Sequence, residues 1–208
     1  MKMRKSCIKS LLLLLATLPL LASMNQASAA PIVYGFDTFA DSASITNQIA
    51  GMTFTNTIVL KAGVSLNDAE FPPRSLDGVV SDNGGAITIS FATPVFSVGG
   101  YFNYVAGLTF SAYDNSNNLL GTDLADFASN LALSGNLGSS PNELLSLSNA
   151  FGQIARVVIT GDGLGGSFTM DDLTVDAGST VPEPATLALL GLGLIGLGLG
   201  RRARSSQA

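Results

Sequence analysis

The chain has no histidine, no tryptophan and only one cysteine among its 208 residues. Without histidine, neither a Ser-His-Asp triad nor a mixed Cys/His zinc site can be assembled. The single Cys7 lies ahead of an apolar run near the N-terminus, so the chain beyond that run has no cysteine for a disulfide or for catalysis. The composition therefore excludes the usual acyl-transfer hydrolases and the disulfide-stabilised small folds.

Basic residues are scarce in the central part of the chain. Between positions 30 and 178 only Lys61, Arg74 and Arg156 are basic, against fourteen acidic residues, which gives a formal charge of −11. A protein that binds nucleic acid through its phosphates needs a basic face, so we expect no nucleic-acid partner. This charge suits a soluble surface protein, or one that collects divalent cations.

The N-terminal segment has the three parts of a secretory signal peptide. Basic residues up to Lys9 precede the apolar residues 11–22, and the small residues Ala27 and Ala29 flank Ser28 at the predicted cleavage site. Residues 1–29 are therefore predicted to direct export through the Sec translocon and to be removed after Ala29. The remaining chain is expected outside the cytoplasm.

The C-terminal segment also has three parts in a distinctive order. It opens with Val181, Pro182, Glu183 and Pro184, continues through the uncharged residues 185–200, and ends in an arginine cluster that includes Arg201 and Arg202. As a helix, the uncharged residues would span about 24 Å, close to the bilayer core of about 30 Å. Arginines that stay cytoplasmic would leave the rest of the protein outside. We therefore predict a single transmembrane-type helix.

This order of parts resembles the PEP-CTERM sorting signal of Gram-negative bacteria that make extracellular polysaccharide. The resemblance implies that residues 179–208 anchor the protein transiently in the inner membrane. It also implies cleavage near Pro182-Glu183-Pro184 by the membrane enzyme exosortase, followed by delivery to the cell surface or the extracellular matrix. The alternative is a permanent tail anchor.

Residues 30–178 predict an all-β domain. Alternation of apolar and polar residues is clear at 86–91, and the turn cluster at 114–118 before Leu119 and Leu120 predicts a hairpin. The other predicted strands are residues 32–36, 52–54, 57–60, 96–104, 108–113, 144–147, 154–160 and 167–175. Residues 124–133 are predicted as a short helix or turn, and 134–142 as a loop. About nine short strands separated by turn residues predict a two-sheet β-sandwich of the jelly-roll type.

The last predicted strand contains a break in its alternation. Apolar residues occupy positions 168 and 170, and then 173 and 175, so the inward phase slips by one across Asp171 and Asp172. A β-bulge at these two residues would repair the slip and turn one carboxylate away from the regular surface.

This strand and the opening Tyr34-Gly35-Phe36-Asp37 resemble the end strands of carbohydrate-binding jelly rolls. In that family the two ends meet at a structural calcium ion, which implies a calcium site at Asp37, Asp171 and Asp172. Calcium takes six to eight oxygens and accepts carboxylates among them. The alternative is that these acids cap turns or face water.

Candidate binding and catalytic residues are few. Tyr101 and Tyr104, which follow a Gly-Gly pair, would stack on sugar rings if exposed, or pack in the core if not. Glu70 and Glu143 are the only glutamates of the domain, and nothing in their spacing marks the carboxylate pair of a glycosidase. The favoured hypothesis is a non-catalytic surface or matrix protein associated with extracellular polysaccharide and biofilm. A carbohydrate-binding module and a secreted glycoside hydrolase are the alternatives.

The sorting hypothesis predicts a processing defect in two variants. Deleting residues 201–208, or replacing Pro182-Glu183-Pro184 by alanines, removes a feature that the sorting resemblance requires. We expect immunoblots of membrane and medium fractions to show an uncleaved precursor for both variants. Unchanged processing would contradict the sorting hypothesis.

Overall fold

Eleven β-strands build residues 30–178, the part of the chain that the computed structural model describes. The strands are β1 (Ile32–Tyr34), β2 (Met52–Thr55), β3 (Thr57–Lys61), β4 (Gly78–Asp82), β5 (Ile87–Val95), β6 (Ser97–Tyr104), β7 (Thr109–Tyr113), β8 (Leu119–Leu124), β9 (Glu143–Ser148), β10 (Ile154–Thr160) and β11 (Phe168–Asp176). None of the described residues forms a helix that could cross a membrane. The predicted signal peptide and sorting helix lie outside these residues.

The strands form two antiparallel sheets. The larger sheet has the order β3-β4-β11-β6-β9. β1 also pairs with β11, along the same edge as β4 and opposite to β6. The smaller sheet has the order β2-β5-β10-β7-β8. The larger sheet therefore contains six strands, and its first and last strands in sequence are neighbours. This architecture confirms the predicted two-sheet sandwich.

The core lies between the inner faces of the two sheets. In β5, Ile87 and Ile89 are fully buried, while Thr88 and Ser90 between and after them are half-buried, as the alternation predicts. The Phe102 ring of the larger sheet lies 5.9 Å from the Phe110 ring of the smaller sheet, centroid to centroid. Such tilted aromatic pairs add to the apolar burial that holds the two sheets together.

Two elements differ from the sequence expectation. β4 was not predicted because all five of its residues are buried, so it lacks the alternation of a half-exposed strand. Residues 125–142 contain turns and no helix, for example a turn closed by the N–H of Gly135 and the carbonyl of Leu131. The turn alternative for this stretch is therefore the correct one.

The predicted bulge in β11 is confirmed. The register of β11 against β6 shifts between Asp171 and Thr174, and Asp172 has a positive φ of 48°. The apolar residues on both sides of the shift, at positions 168, 170, 173 and 175, are all buried. The bulge keeps one face of the strand in the core, and it places two adjacent carboxylates on the opposite side.

Loops cover part of the outer face of the larger sheet. Ser81, Asn103 and Thr169 lie in one cross-strand row on that face, yet they are at most 4% exposed. The Asn103 side chain donates to the carbonyl of Pro72 and accepts from the N–H of Asn142, so residues 72 and 142 cover this row. The other half of the outer face stays open.

Candidate functional site

The open half of the outer face contains a groove between β6 and β9. Its volume is about 290 Å³, and it is lined by Ser97, Val98, Gly99, Tyr101, Leu144, Ser146, Leu147, Ser148 and Thr174. This volume is just below the range of about 300–1,000 Å³ that is usual for ligand pockets. The lining combines one aromatic ring, several hydroxyl groups and leucine side chains, and it carries no carboxylate.

Gly99 forms the floor of the groove. It pairs with Thr174 on one side and with Ser146 on the other. A Cβ at position 99 would lie 2.8 Å from the Cβ of Ser146 and 3.0 Å from the carbonyl oxygen of Leu145. The missing side chain therefore leaves the depression between Ser97 and Tyr101.

Tyr101 stands at one end of the groove with its ring held in place. The Arg74 guanidinium lies 3.5 Å from the ring centroid, which is cation–π contact. The Nε atom of Arg74 lies 3.6 Å from Oδ2 of Asp172, so the guanidinium is itself oriented by a carboxylate. The Tyr101 ring is thus half-buried beside the groove, with Arg74 against one of its faces, and its stacking on a sugar stays a prediction.

The assignment of Tyr104 as a ligand-binding residue is wrong. Tyr104 is fully buried, and its hydroxyl donates a hydrogen bond to Glu143. Burial and the nearby Glu143 carboxylate raise the pKa of Tyr104 well above its ordinary value. Its ring is part of the core and offers no face to a sugar.

The three predicted calcium ligands converge on one segment, residues 74–78. Oδ2 of Asp171 accepts the N–H groups of Arg74 at 2.9 Å and Ser75 at 2.8 Å, and Oδ1 of Asp172 accepts the Ser75 hydroxyl at 2.8 Å. At the other end, Oδ1 of Asp37 accepts the N–H groups of Asp77 at 3.0 Å and Gly78 at 2.9 Å. The carboxylates therefore hold this segment against β11 and the chain after β1.

Asp171 is the most buried of the three, with 2% of its surface exposed. Burial raises the pKa of Asp171 above its ordinary value, while N–H donors, those of Ser75 and Asp172 first, oppose that rise. Its second oxygen accepts the N–H of Asp172 at 2.7 Å. The carboxylate is therefore costly to bury at neutral pH, and the donors around it offset part of that cost.

The immediate neighbours of these three carboxylates are hydrogen-bond donors. Their oxygens face N–H and hydroxyl donors, whereas calcium would need six to eight oxygen ligands around it. No group of three or more acidic side chains within residues 30–178 is arranged to hold a metal. The contacts correspond to the alternative in which the acids cap turns, and calcium binding stays an untested prediction.

The two glutamates bind separate loops. Oε2 of Glu70 accepts the N–H groups of Leu133 at 3.0 Å and Ser134 at 3.2 Å, and these donors hold the pKa of Glu70 below its ordinary value. The Glu143 carboxylate accepts the Tyr104 hydroxyl and the N–H of Asp126. A glycosidase needs a carboxylic acid with a raised pKa facing a second carboxylate, and Glu70 shows the opposite shift.

Three features of the site region were missed in the sequence. Arg74, which orients Tyr101, is one of only three basic residues in the domain, and that scarcity was an available signal. The burial of Tyr104 could also have been predicted, because residues three apart on one strand, such as Tyr101 and Tyr104, point to opposite faces of the sheet. The role of the 74–78 segment had no comparable signal, since its contacts with Asp171 and Asp172 join residues about one hundred positions apart.

A protein-family comparison identifies the C-terminal segment. Residues 180–204 match the PEP-CTERM protein-sorting motif, which confirms the sorting signal predicted there. The motif implies an exported protein that is anchored transiently in the membrane and processed by exosortase. A comparison with curated protein sequences finds no match.

Solved structures with similar chain traces are distant from this one. The K2 cleaved adhesin domain of Lys-gingipain has a TM-score of 0.45 at 11% identity and covers 70% of this chain and 97% of its own. The K1 cleaved adhesin domain of Lys-gingipain from Porphyromonas gingivalis has a TM-score of 0.42 at 10% identity, with coverages of 73% and 100%. TmCBM61 in complex with β-1,4-galactotriose has a TM-score of 0.35 at 10% identity, with coverages of 61% and 88%. At these TM-scores the likeness does not indicate a function for this chain.

The contacts of Asp171 predict a destabilised Asp171→Asn variant. In the unaltered protein both oxygens of Asp171 accept hydrogen bonds from backbone N–H groups. In either orientation of the asparagine amide, its NH₂ group would therefore face an N–H group, and that hydrogen bond would be lost. We expect a loss of about 1–3 kcal/mol in the free energy of unfolding, measured by urea denaturation. The exposed Asp68 provides the control, and Asp68→Asn should change stability by less than about 0.5 kcal/mol. Equal stability of the two variants would contradict the role given to Asp171.

The donors around Asp37, Asp171 and Asp172 also predict the effect of removing divalent cations. Because N–H groups already donate hydrogen bonds to these carboxylates and stabilise their charge without a metal, we expect the melting midpoint to be the same with EDTA and with added calcium. A midpoint that falls in EDTA and recovers on adding calcium would instead support the calcium site.

Proposed function

Because the chain carries a PEP-CTERM sorting signal, we propose that it is an exported, non-catalytic protein of the cell surface or extracellular matrix that binds polysaccharide there. Residues 30–178 are the functional part, and the groove beside Tyr101 is the binding site. The sorting motif supports the export, and the groove supports the binding.

The lining of the groove is the observation that carries the binding proposal. A tyrosine ring held by Arg74 borders a depression with the hydroxyls of Ser97, Ser146 and Thr174. Sugar rings present apolar C–H faces and hydroxyl edges, so an aromatic side chain beside hydroxyl groups matches both. The ring loses little freedom on binding, because Arg74 already holds it in one orientation.

The negative charge of the domain favours a neutral polysaccharide over an anionic one. Residues 30–178 carry a formal charge of −11, and Arg74 near the groove is paired with Asp172. An anionic polysaccharide would be repelled by this surface. We therefore propose neutral glycan chains as the ligand.

The absence of a carboxylate in the groove lining supports a binding role over hydrolysis. A glycosidase of the usual kind needs two carboxylates beside the scissile bond, and the residues that line this groove provide none. Incubation with the bound polysaccharide should therefore release no reducing sugar.

Truncation of Tyr101 should weaken polysaccharide binding. Removing the ring in Tyr101→Ala takes away the stacking surface, and we expect about a tenfold or larger loss of affinity, which corresponds to about 1.4 kcal/mol. The measurement is a pull-down of residues 30–178, which contain the whole described core, on insoluble neutral polysaccharide prepared from the producing cell.

Tyr113 provides a matched control on the other sheet. It is also a half-buried strand tyrosine, and the Arg156 guanidinium lies 4.1 Å from its ring centroid. Tyr113→Ala should bind as the unaltered domain does. Equal losses in the two variants, or binding that survives Tyr101→Ala, would contradict a site at the groove.

A further inference from the structure

The end of the sandwich from which the chain continues toward the sorting motif is closely packed. Gly178, the last described residue, has a positive φ of 54°, and a Cβ there would lie 2.2 Å from atoms of the Phe96 ring. A Cβ at Gly152 would lie 2.6 Å from the same ring. Phe96 is therefore in contact with both glycines, and we call this region, residues 96, 149–152 and 176–178, the exit end.

Backbone hydrogen bonds hold the exit end together. The N–H of Phe96 donates to the carbonyl of Asp176 at 2.8 Å, and the carbonyl of Phe96 accepts from the N–H of Asn149 at 2.7 Å. The Asp176 carboxylate accepts the N–H of Gly178 at 2.8 Å. The chain thus leaves the domain from an ordered layer of three segments.

Apolar side chains are exposed on this layer. Phe151 is 80% exposed although its turn is fixed by hydrogen bonds from its own N–H and that of Gly152 to Asn149. Phe96 is 37% exposed, and Ile32, which pairs with Val175 near the end of β11, is 54% exposed. An ordered turn that presents a phenylalanine to solvent suits contact with an apolar surface.

The length of the connecting chain puts such a surface within reach. Six residues, 179–184, separate Gly178 from the uncharged residues 185–200. Even fully extended, six residues span at most about 22 Å. While the sorting segment is anchored, the exit end is therefore held within about that distance of the bilayer, whose interfacial layer is itself several ångströms thick.

We propose that the exit end rests on the lipid surface before the sorting signal is cut, with Phe151 and Phe96 at the level of the headgroups. Phenylalanine is among the side chains that surface-bound segments bury at the boundary between headgroups and acyl chains. The acidic domain would be repelled by strongly anionic lipid, so the surface it contacts is zwitterionic phospholipid. This inference rests on the membrane-anchored stage of the proposed export route. It gives the anchored precursor a fixed orientation, in which the exit end faces the bilayer.

The absence of tryptophan allows a direct test with single fluorescent reporters. Phe151→Trp, Leu164→Trp and Leu192→Trp are made separately in the chain that remains after the predicted signal cleavage, residues 30–208, and each is reconstituted in phosphatidylcholine vesicles with and without brominated acyl chains. Leu164 is 89% exposed and lies in the turn before the opposite end of β11, which is about 30 Å long, so it is the matched control. Leu192 lies within the uncharged sorting segment and reports the anchoring itself.

The expected result is strong quenching at positions 151 and 192 and none at 164, with a blue-shifted emission at 151. Quenching at 192 without quenching at 151 would overturn the contact of the exit end and leave the anchoring intact. Equal quenching at 151 and 164 would overturn the fixed orientation. No quenching at 192 would overturn the anchored stage and this inference with it.

Discussion

Side-chain oxygens that accept backbone N–H groups, most of them buried, are the contacts on which the loops of this sandwich depend. Asp37 and Asp171 hold residues 74–78, and Asp82 accepts the N–H groups of Ser167 and Phe168 where β11 begins. Asn130 accepts the N–H of Tyr104 and donates to the carbonyl of Phe102. With no cysteine between positions 30 and 178, no disulfide can fix these irregular segments. Hydrogen bonds to ionised acceptors are the stronger kind, and no buried side-chain nitrogen or oxygen in the described residues lacks a partner.

The same contacts shape the candidate site. Asp171 binds the N–H of Arg74, and Asp172 lies near its guanidinium, so the bulge in β11 places this side chain over Tyr101. The loops that the buried groups hold cover one half of the outer face and leave the groove in the other half. At the edge of the larger sheet, the N–H of Ser146 donates to Asp123 of β8, which satisfies an otherwise unpaired group of an edge strand. Hydrogen bonds that stabilise the loops and the sheet edge therefore also fix the geometry of the site.

Sequence patterns predicted the strands where one face is buried and the other is exposed, as in β5. They failed for β4 because loop coverage buries both of its faces, which erases the alternation. The bulge at Asp171 and Asp172 was predictable because the slip in phase is local to β11. The partners of these carboxylates were not, since residues 74–78 precede them by about one hundred positions and carry no periodic signal. Tyr104 shows a different error, in which the strand was right and the facing of one residue was missed.

The sequence by itself determined the acidic composition, the all-β class and the sorting signal. Each of these is contained in contiguous residues or in overall counts, so it does not depend on which strands become neighbours. The tertiary structure decided where the open surface lies and what lines it. The groove needs β6, β9 and β11 side by side, with Gly99 between Thr174 and Ser146. That adjacency follows from the order of strands in the sheet, which the packing of the whole core selects and no single segment encodes.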